Sequence, residues 1–142
     1  MLRSTYRRIP LALFFLRLSV FLVMLMWTLD KFLNPDHTAA VFKTFYFIGG
    51  LGNIPIYCIG GVQLLVILGF VLGFKKRITY PLVLFLHTVS TVSSFKQYLS
   101  PYEGSNLLFF AAWPMLAACF ALYYLHDWDT LWVLDKEKAK LF

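Results

Sequence analysis

Formal charge is what this sequence has least of. Only 14% of its 142 residues are Asp, Glu, Lys or Arg, while 60% are hydrophobic and the mean hydropathy is +0.70. From Ile78 to Phe95 the chain carries no formal charge at all, and three other stretches are similar. Four such runs leave little from which a water-soluble domain could be built, because soluble cores use amphipathic elements. Cysteine is nearly as scarce. Cys58 and Cys119 are too few for a disulfide framework. Their expected depths differ by roughly 10 Å, beyond the ~7 Å that a bridge spans between alpha carbons. Without a Cys-x-x-Cys pair, a quinone-linked thiol relay is disfavoured. The three histidines, His37, His87 and His126, fall in an outer loop, at mid-membrane and at the inner boundary. No pair has ligand spacing, so neither a metal site nor a bis-histidine haem is expected. The sequence also lacks the phosphate-binding G-x-x-x-x-G-K-[ST], the G-x-S-x-G elbow and H-E-x-x-H.

What is present reads as a single all-α membrane domain over residues 1–142. Four spans are expected, near residues 9–29, 54–74, 78–95 and 107–125, with a tail over 126–142. Each has about the 18–20 residues that cross a ~30 Å hydrocarbon core at ~1.5 Å per residue. Lipid offers no hydrogen bonds to the backbone, so spans must be helices or a closed barrel. These runs are too long and too continuously apolar for barrel strands. The expected architecture is a four-transmembrane-helix bundle.

Basic residues set the expected orientation. Arg3, Arg7 and Arg8 precede the first span, Lys75, Lys76 and Arg77 fill the second turn, and Lys136, Lys138 and Lys140 end the tail. Four spans place those nine of the thirteen basic residues on one side, against Lys31, Lys43 and Lys96 on the other. Both termini are therefore expected in the cytoplasm. The net charge of +6 follows from this asymmetry and from anionic lipids, with no nucleic-acid partner needed. Arg17 interrupts the first apolar run and no small-x-small cleavage pattern follows, so a retained first helix is expected rather than a signal peptide.

The loop from Asp30 to Asn53 has structure of its own. Asn34 is placed to cap a helix with Pro35 at its first position and Asp36 in its first turn. Phe42, Phe45 and Tyr46 share a side, and Gly49, Gly50 and Gly52 end the element. A short interfacial helix between the first two spans is expected. Trp128 and Trp132 in the tail read as interfacial anchors.

Polar residues inside spans are the candidates for function, because burying them in lipid is costly. Arg17 lies ~13 Å along the helix from Arg8. Its stem can snorkel to the interface, or its head can pair with Asp127 or Asp129 beyond the fourth span. Gln63 and His87 both reach mid-depth, and Ser94 follows His87 on one face with Ser90 or Thr91. Inter-helix hydrogen bonding accounts for these residues. The sharper reading is a ligand pocket of His87, Gln63, Trp27 and Ser94, with His87 as the versatile group and quinone as a candidate cofactor. Asp30, Lys31, Lys96 and Glu103 are expected at one outer level as a polar cluster.

In order and spacing, several of these features resemble the DoxX-type family of small four-helix bacterial membrane proteins, over about residues 10 to 126. They are Arg17 in the first span, then Trp27, Asp30, Lys31 and Phe32 leading into Asn34-Pro35. The run Ile59-Gly60-Gly61-Val62-Gln63-Leu64-Leu65 follows, with Gly69 and a basic turn ending in Arg77. Many relatives carry Glu where this chain has Gln63, so an ionisable group is missing there. The resemblance implies a compact bundle in the bacterial inner membrane. Members look like small subunits of quinone-linked redox systems such as thiosulfate oxidation, or accessory partners of metal- and redox-stress proteins. Distant animal relatives look like assembly chaperones. The leading expectation is thus a non-catalytic accessory subunit packed against a larger, redox-linked membrane complex or a second copy. The alternative is a stand-alone quinone- or lipid-binding protein using the His87 pocket. A small transporter is the weakest of the three, because four helices make a narrow bundle.

Overall fold

A computed structural model describes the backbone of residues 2–135 and the side chains from Arg8 onward. Of the expected basic positions, Arg3 and Arg7 are described in backbone alone, and Lys136, Lys138 and Lys140 in the tail lie outside the described residues. The described residues form six α-helices and a 3-10 segment: α1 (Leu2–Leu33), α2 (Pro35–Phe45), α3 (Asn53–Val71), α4 (Lys76–Ser93), α5 (Phe95–Leu99), the 3-10 turn Asn106–Ala111, and α6 (Ala112–Tyr124). No strand occurs among the described residues. Three stretches, Arg8–Leu33, Asn53–Val71 and Asn106–Tyr124, are long and apolar enough to cross a membrane. The helix α4 is 18 residues long but does not reach that composition. It carries Lys76, Arg77, His87 and several Ser and Thr. The expected run over 78–95 stops short, because Ser94 leaves the helix and α5 begins at Phe95.

Burial follows the 3.6-residue period. Leu13, Arg17, Val20, Met24, Thr28 and Lys31 recur every three or four residues along α1 and form its inward stripe. Ile56, Gly60, Ile67 and Phe70, at spacings of four, seven and three residues, form the inward stripe of α3. On α4 the inward stripe is polar at both ends and apolar at Val83. The packing order is α1 on α3, α3 on α4, α4 on α6 and α6 on α1, so each long helix touches two others. Val20, Met24, Ile67, Phe70, Val83 and Leu122 meet in the shared core. Gly60 lets α1 and α3 approach closely, since a Cβ there would sit 2.9 Å from the Phe32 ring. The helix α2 rests on α1 and α3, with the Phe45 ring 5.6 Å from Phe109.

The start of α2 differs from its expected cap. Pro35 does occupy the first turn, but the Asn34 side chain makes no capping bond. Its amide instead donates to Asp30 Oδ1 at 3.3 Å. The carboxylate four residues back on α1 competes successfully with the helix N–H groups for that side chain.

The end of α3 organises the opposite face of the molecule. Phe74 N–H donates to Gly69 O at 2.8 Å and Gly73 N–H to Phe70 O at 3.0 Å, the paired bonds of a Schellman stop. Gly73 has φ +59, where a side chain is strained. The chain after α6 then returns under the helices. Leu134 and Asp135 donate their N–H groups to Leu72 O and Gly73 O at 2.9 and 3.0 Å. Terminal carbonyls of α3, which the helix itself cannot satisfy, are thus capped by the tail.

A Cβ at Gly73 would lie 2.6 Å from the Val133 Cβ, while one at Gly61 meets nothing within 4 Å. Gly73→Ala is expected to destabilise the detergent-solubilised protein by about 1–3 kcal/mol and to speed proteolysis of the tail. Gly61→Ala should change neither. Equal melting curves for the two variants would contradict this packing.

Candidate functional site

The polar residues that the fold gathers most tightly lie where α1, α4 and the returning tail meet. Arg17, on the inward stripe of α1, is fully buried, as is Asp129. Arg17 Nη1 donates to Asp129 Oδ2 at 2.8 Å and to the Tyr80 hydroxyl at 3.2 Å. The Tyr80 hydroxyl donates to the same Asp129 Oδ2 at 2.6 Å, closing a triangle. Arg17 Nη2 reaches two tail carbonyls, Leu131 O at 2.6 Å and Trp132 O at 3.2 Å. Phe14 lies beside the guanidinium, 5.5 Å from ring centroid to Cζ, and meets Trp132 edge-on at 5.1 Å. Two buried atoms, Arg17 Nε and Asp129 Oδ1, have no hydrogen-bond partner.

Lys76 extends the cluster from the start of α4. Its ammonium is buried and donates to His126 O at 2.9 Å and Asp129 O at 3.1 Å. Its backbone N–H donates to Asp135 Oδ2 at 3.3 Å. The tail therefore caps the α4 N-terminus with a carboxylate, where the helix dipole favours negative charge. Lys76 and Tyr80 are four residues apart on one helix face, which places both over the tail. Of the basic turn Lys75, Lys76 and Arg77, only Lys76 is turned inward.

The expected pairings are redistributed. Arg17 meets Asp129 and not Asp127, whose half-exposed carboxylate instead lies 3.3 Å from His126 Nε2. Helix α6 ends at Tyr124, and the turns that follow bring residue 129 rather than 127 beneath Arg17. Among the described residues no ion pair or hydrogen bond joins the Asp30, Lys31, Lys96 and Glu103 side chains. Asp30 gathers His37 Nδ1 at 2.7 Å, Thr38 Oγ1 at 3.2 Å and Asn34. Lys31 bends back to Trp27 O at 3.0 Å, and Lys96 lies over the Phe47 ring at 4.9 Å.

His87 is buried on α4 and its Nε2 is 3.0 Å from Ala112 O, tying α4 to the start of α6. Thr91 Oγ1 donates to His87 O, and Ser94 Oγ to Ser90 O, so the polar stripe below His87 is bonded locally. Gly69 of α3 faces Thr79 of α4. Counting ~1.5 Å per residue from that crossing puts Gln63 ~9 Å and His87 ~12 Å away, at similar depths. No hydrogen bond joins them among the described residues. Trp27 is 52% exposed and faces outward from α1.

Tyr80, Lys76 and Asp135 are members of the site that the sequence reading did not single out. A polar stripe at four-residue spacing, Lys76 then Tyr80, was the available signal. No protein-family model, curated protein or solved structure matches the chain.

The cluster is an ion pair with its hydrogen bonds directed at the chain's own backbone, and its chemistry is that of a clasp. Asp129→Ala strands the buried guanidinium and the Tyr80 hydroxyl together, with an expected cost of about 3–5 kcal/mol. Asp127→Ala should cost less than ~1 kcal/mol. Joint replacement, Arg17→Met with Asp129→Leu, should recover most of the loss. Unfolding in mixed micelles measures all three, and equal effects at 127 and 129 would contradict the assignment.

Proposed function

We propose that this chain is a small integral inner-membrane accessory subunit of a larger, redox-linked membrane complex, of DoxX-like type. On this reading α4 is a fourth span, α2 lies at the outer interface, and both termini are cytoplasmic. The polar stripe of α4 fits a helix whose polar side faces its neighbours. The redox association rests on the sequence resemblance.

The observation that carries the reading is the outward face of α3. Ile54, Cys58, Gly61 and Leu65 follow one another at spacings of three and four residues, and Ile54, Cys58 and Leu65 are exposed. Gly61 is a notch in that face, with open space where a Cβ would stand. In lipid, helices associate through close packing at small residues rather than through hydrophobic drive. The buried polar side chains, by contrast, are engaged with the chain itself. The surface therefore offers another helix a shape to fit. The alternative of a quinone pocket at His87 has less support, because the imidazole is already bonded to Ala112 O.

Gentle solubilisation should recover the chain with a larger partner at fixed stoichiometry, read by native mass spectrometry. Gly61→Leu should abolish that co-purification while leaving the melting temperature of the isolated chain unchanged. Recovery of wild type solely as a free monomer would overturn the proposal. Loss of quinone-analogue binding in His87→Ala, with the fold intact, would favour the alternative.

A further inference from the structure

Only Asn34 separates α1 from α2, and one carboxylate holds that junction. Asp30, in the last turn of α1, accepts from Asn34 Nδ2 on Oδ1 at 3.3 Å. Its Oδ2 accepts from the Thr38 hydroxyl at 3.2 Å and lies 2.7 Å from His37 Nδ1. His37 and Thr38 belong to the first turn of α2, so a single side chain of α1 gathers both the junction and the helix that follows. Thr38 is buried, whereas the His37 side chain is 57% exposed. The pair therefore stands at the solvent side of the contact, where protons reach it.

The far end of α2 is held differently. Phe45 meets Phe109 at 5.6 Å, and beyond it Phe47 and Gly50 turn the chain at φ 59 and 75. A helix of 11 residues is marginal in water by itself, so α2 keeps its form by docking on α1 and α3. It is a strap with an apolar fastening at Phe45 and a polar one at Asp30.

The charges around the polar fastening are few. On α1, Lys31 follows Asp30 and turns its ammonium to Trp27 O. The ionisable side chains of α3 are Tyr57, whose ring stacks on Phe32, and Cys58. Besides His37, α2 carries Asp36 and Lys43, and Tyr46 follows it. The 3-10 turn carries no ionisable side chain, and Lys96 of α5 lies over Phe47. Among these side-chain types an imidazole alone ordinarily changes charge between about pH 5 and 8. A neutral ring that donates from Nδ1 keeps the bond to Asp30. A second proton, at Nε2, turns that hydrogen bond into an ion pair.

We propose that Asp30 and His37 form a pH-responsive latch, which fastens α2 to α1 more tightly in mild acid. The sign follows from the charges. The ion pair is complete while the imidazole is protonated and is lost as the pH rises through its titration. Stronger acid removes it from the other side by protonating Asp30. Partial exposure keeps the effect small, because solvent screens such a pair. With α2 at the outer interface, as proposed above, the outside solution supplies the proton. The latch lies within one chain and needs no protein partner.

The test is hydrogen exchange of the full chain in nanodiscs near pH 6 and near pH 8, the two sides of ordinary imidazole titration. Each rate is divided by that of an unstructured peptide at the same pH. Amides 39–45 in wild type should be roughly twofold to fivefold better protected at the lower pH, the weight of one partly exposed ion pair. Amides of α3 should be equally protected at both. His37→Gln retains a donor without the charge and should abolish the difference, as should Asp30→Asn. A difference that persists in His37→Gln would overturn the proposal. So would equal protection of α2 at the two pH values in wild type.

Discussion

A guanidinium that cannot reach water has to be neutralised, and the structure is arranged around doing so for Arg17. The side chain starts on an inward stripe of apolar residues and is fully enclosed. An unpaired charge there would be prohibitively costly. Asp129 supplies the opposite charge, and Tyr80, Leu131 O and Trp132 O supply further acceptors. Those acceptors belong to α4 and to the tail, so satisfying Arg17 fixes three separated parts of the chain at once. Losing one member of a buried ion pair costs far more than replacing both by apolar side chains, so the pair acts here by holding its members' segments together. What it holds is the tail, folded beneath the helix ends.

The same constraint explains the neighbouring details. Once the tail lies under the helices, its N–H groups at Leu134 and Asp135 meet the unsatisfied carbonyls of α3. Its Asp135 carboxylate meets the first N–H of α4. Lys76, which a basic turn would ordinarily present to water or headgroups, is drawn in by the carbonyls of His126 and Asp129. Gly73 is required at the crossing, because only a residue without Cβ tolerates both its positive φ and the proximity of Val133. Each of these is a local demand for hydrogen bonds that the helices alone leave open.

Helical character and the apolar stretches were legible in the sequence, since charge-free runs of this length have few other structural outcomes. That Arg17 either snorkels to the interface or pairs with an acid after the fourth span was legible too, but not which of the two, nor which acid. Asp127 and Asp129 are two residues apart, and the choice depends on turns after Tyr124 that no periodicity encodes. The hydrogen-bond partners of Asp30 were not legible either: they lie within one or two helical turns, at Asn34, His37 and Thr38, rather than at the lysines of the expected outer cluster. Gln63 and His87 were placed at similar depth by counting alone, whereas rotation about each helix axis is set by packing. The Ala112 carbonyl as the His87 partner came from that packing, and a backbone acceptor leaves no mark in a sequence.

The most direct test of the clasp is hydrogen exchange at the tail amides, above all Leu134 and Asp135, in the wild-type chain and in Arg17→Met. If the buried pair holds the tail, wild type should protect these amides to nearly the degree of the α3 interior. Arg17→Met should then release them while α3 itself stays protected. Tail amides that exchange as fast as an unstructured peptide in wild type, or that stay equally protected without Arg17, would contradict it.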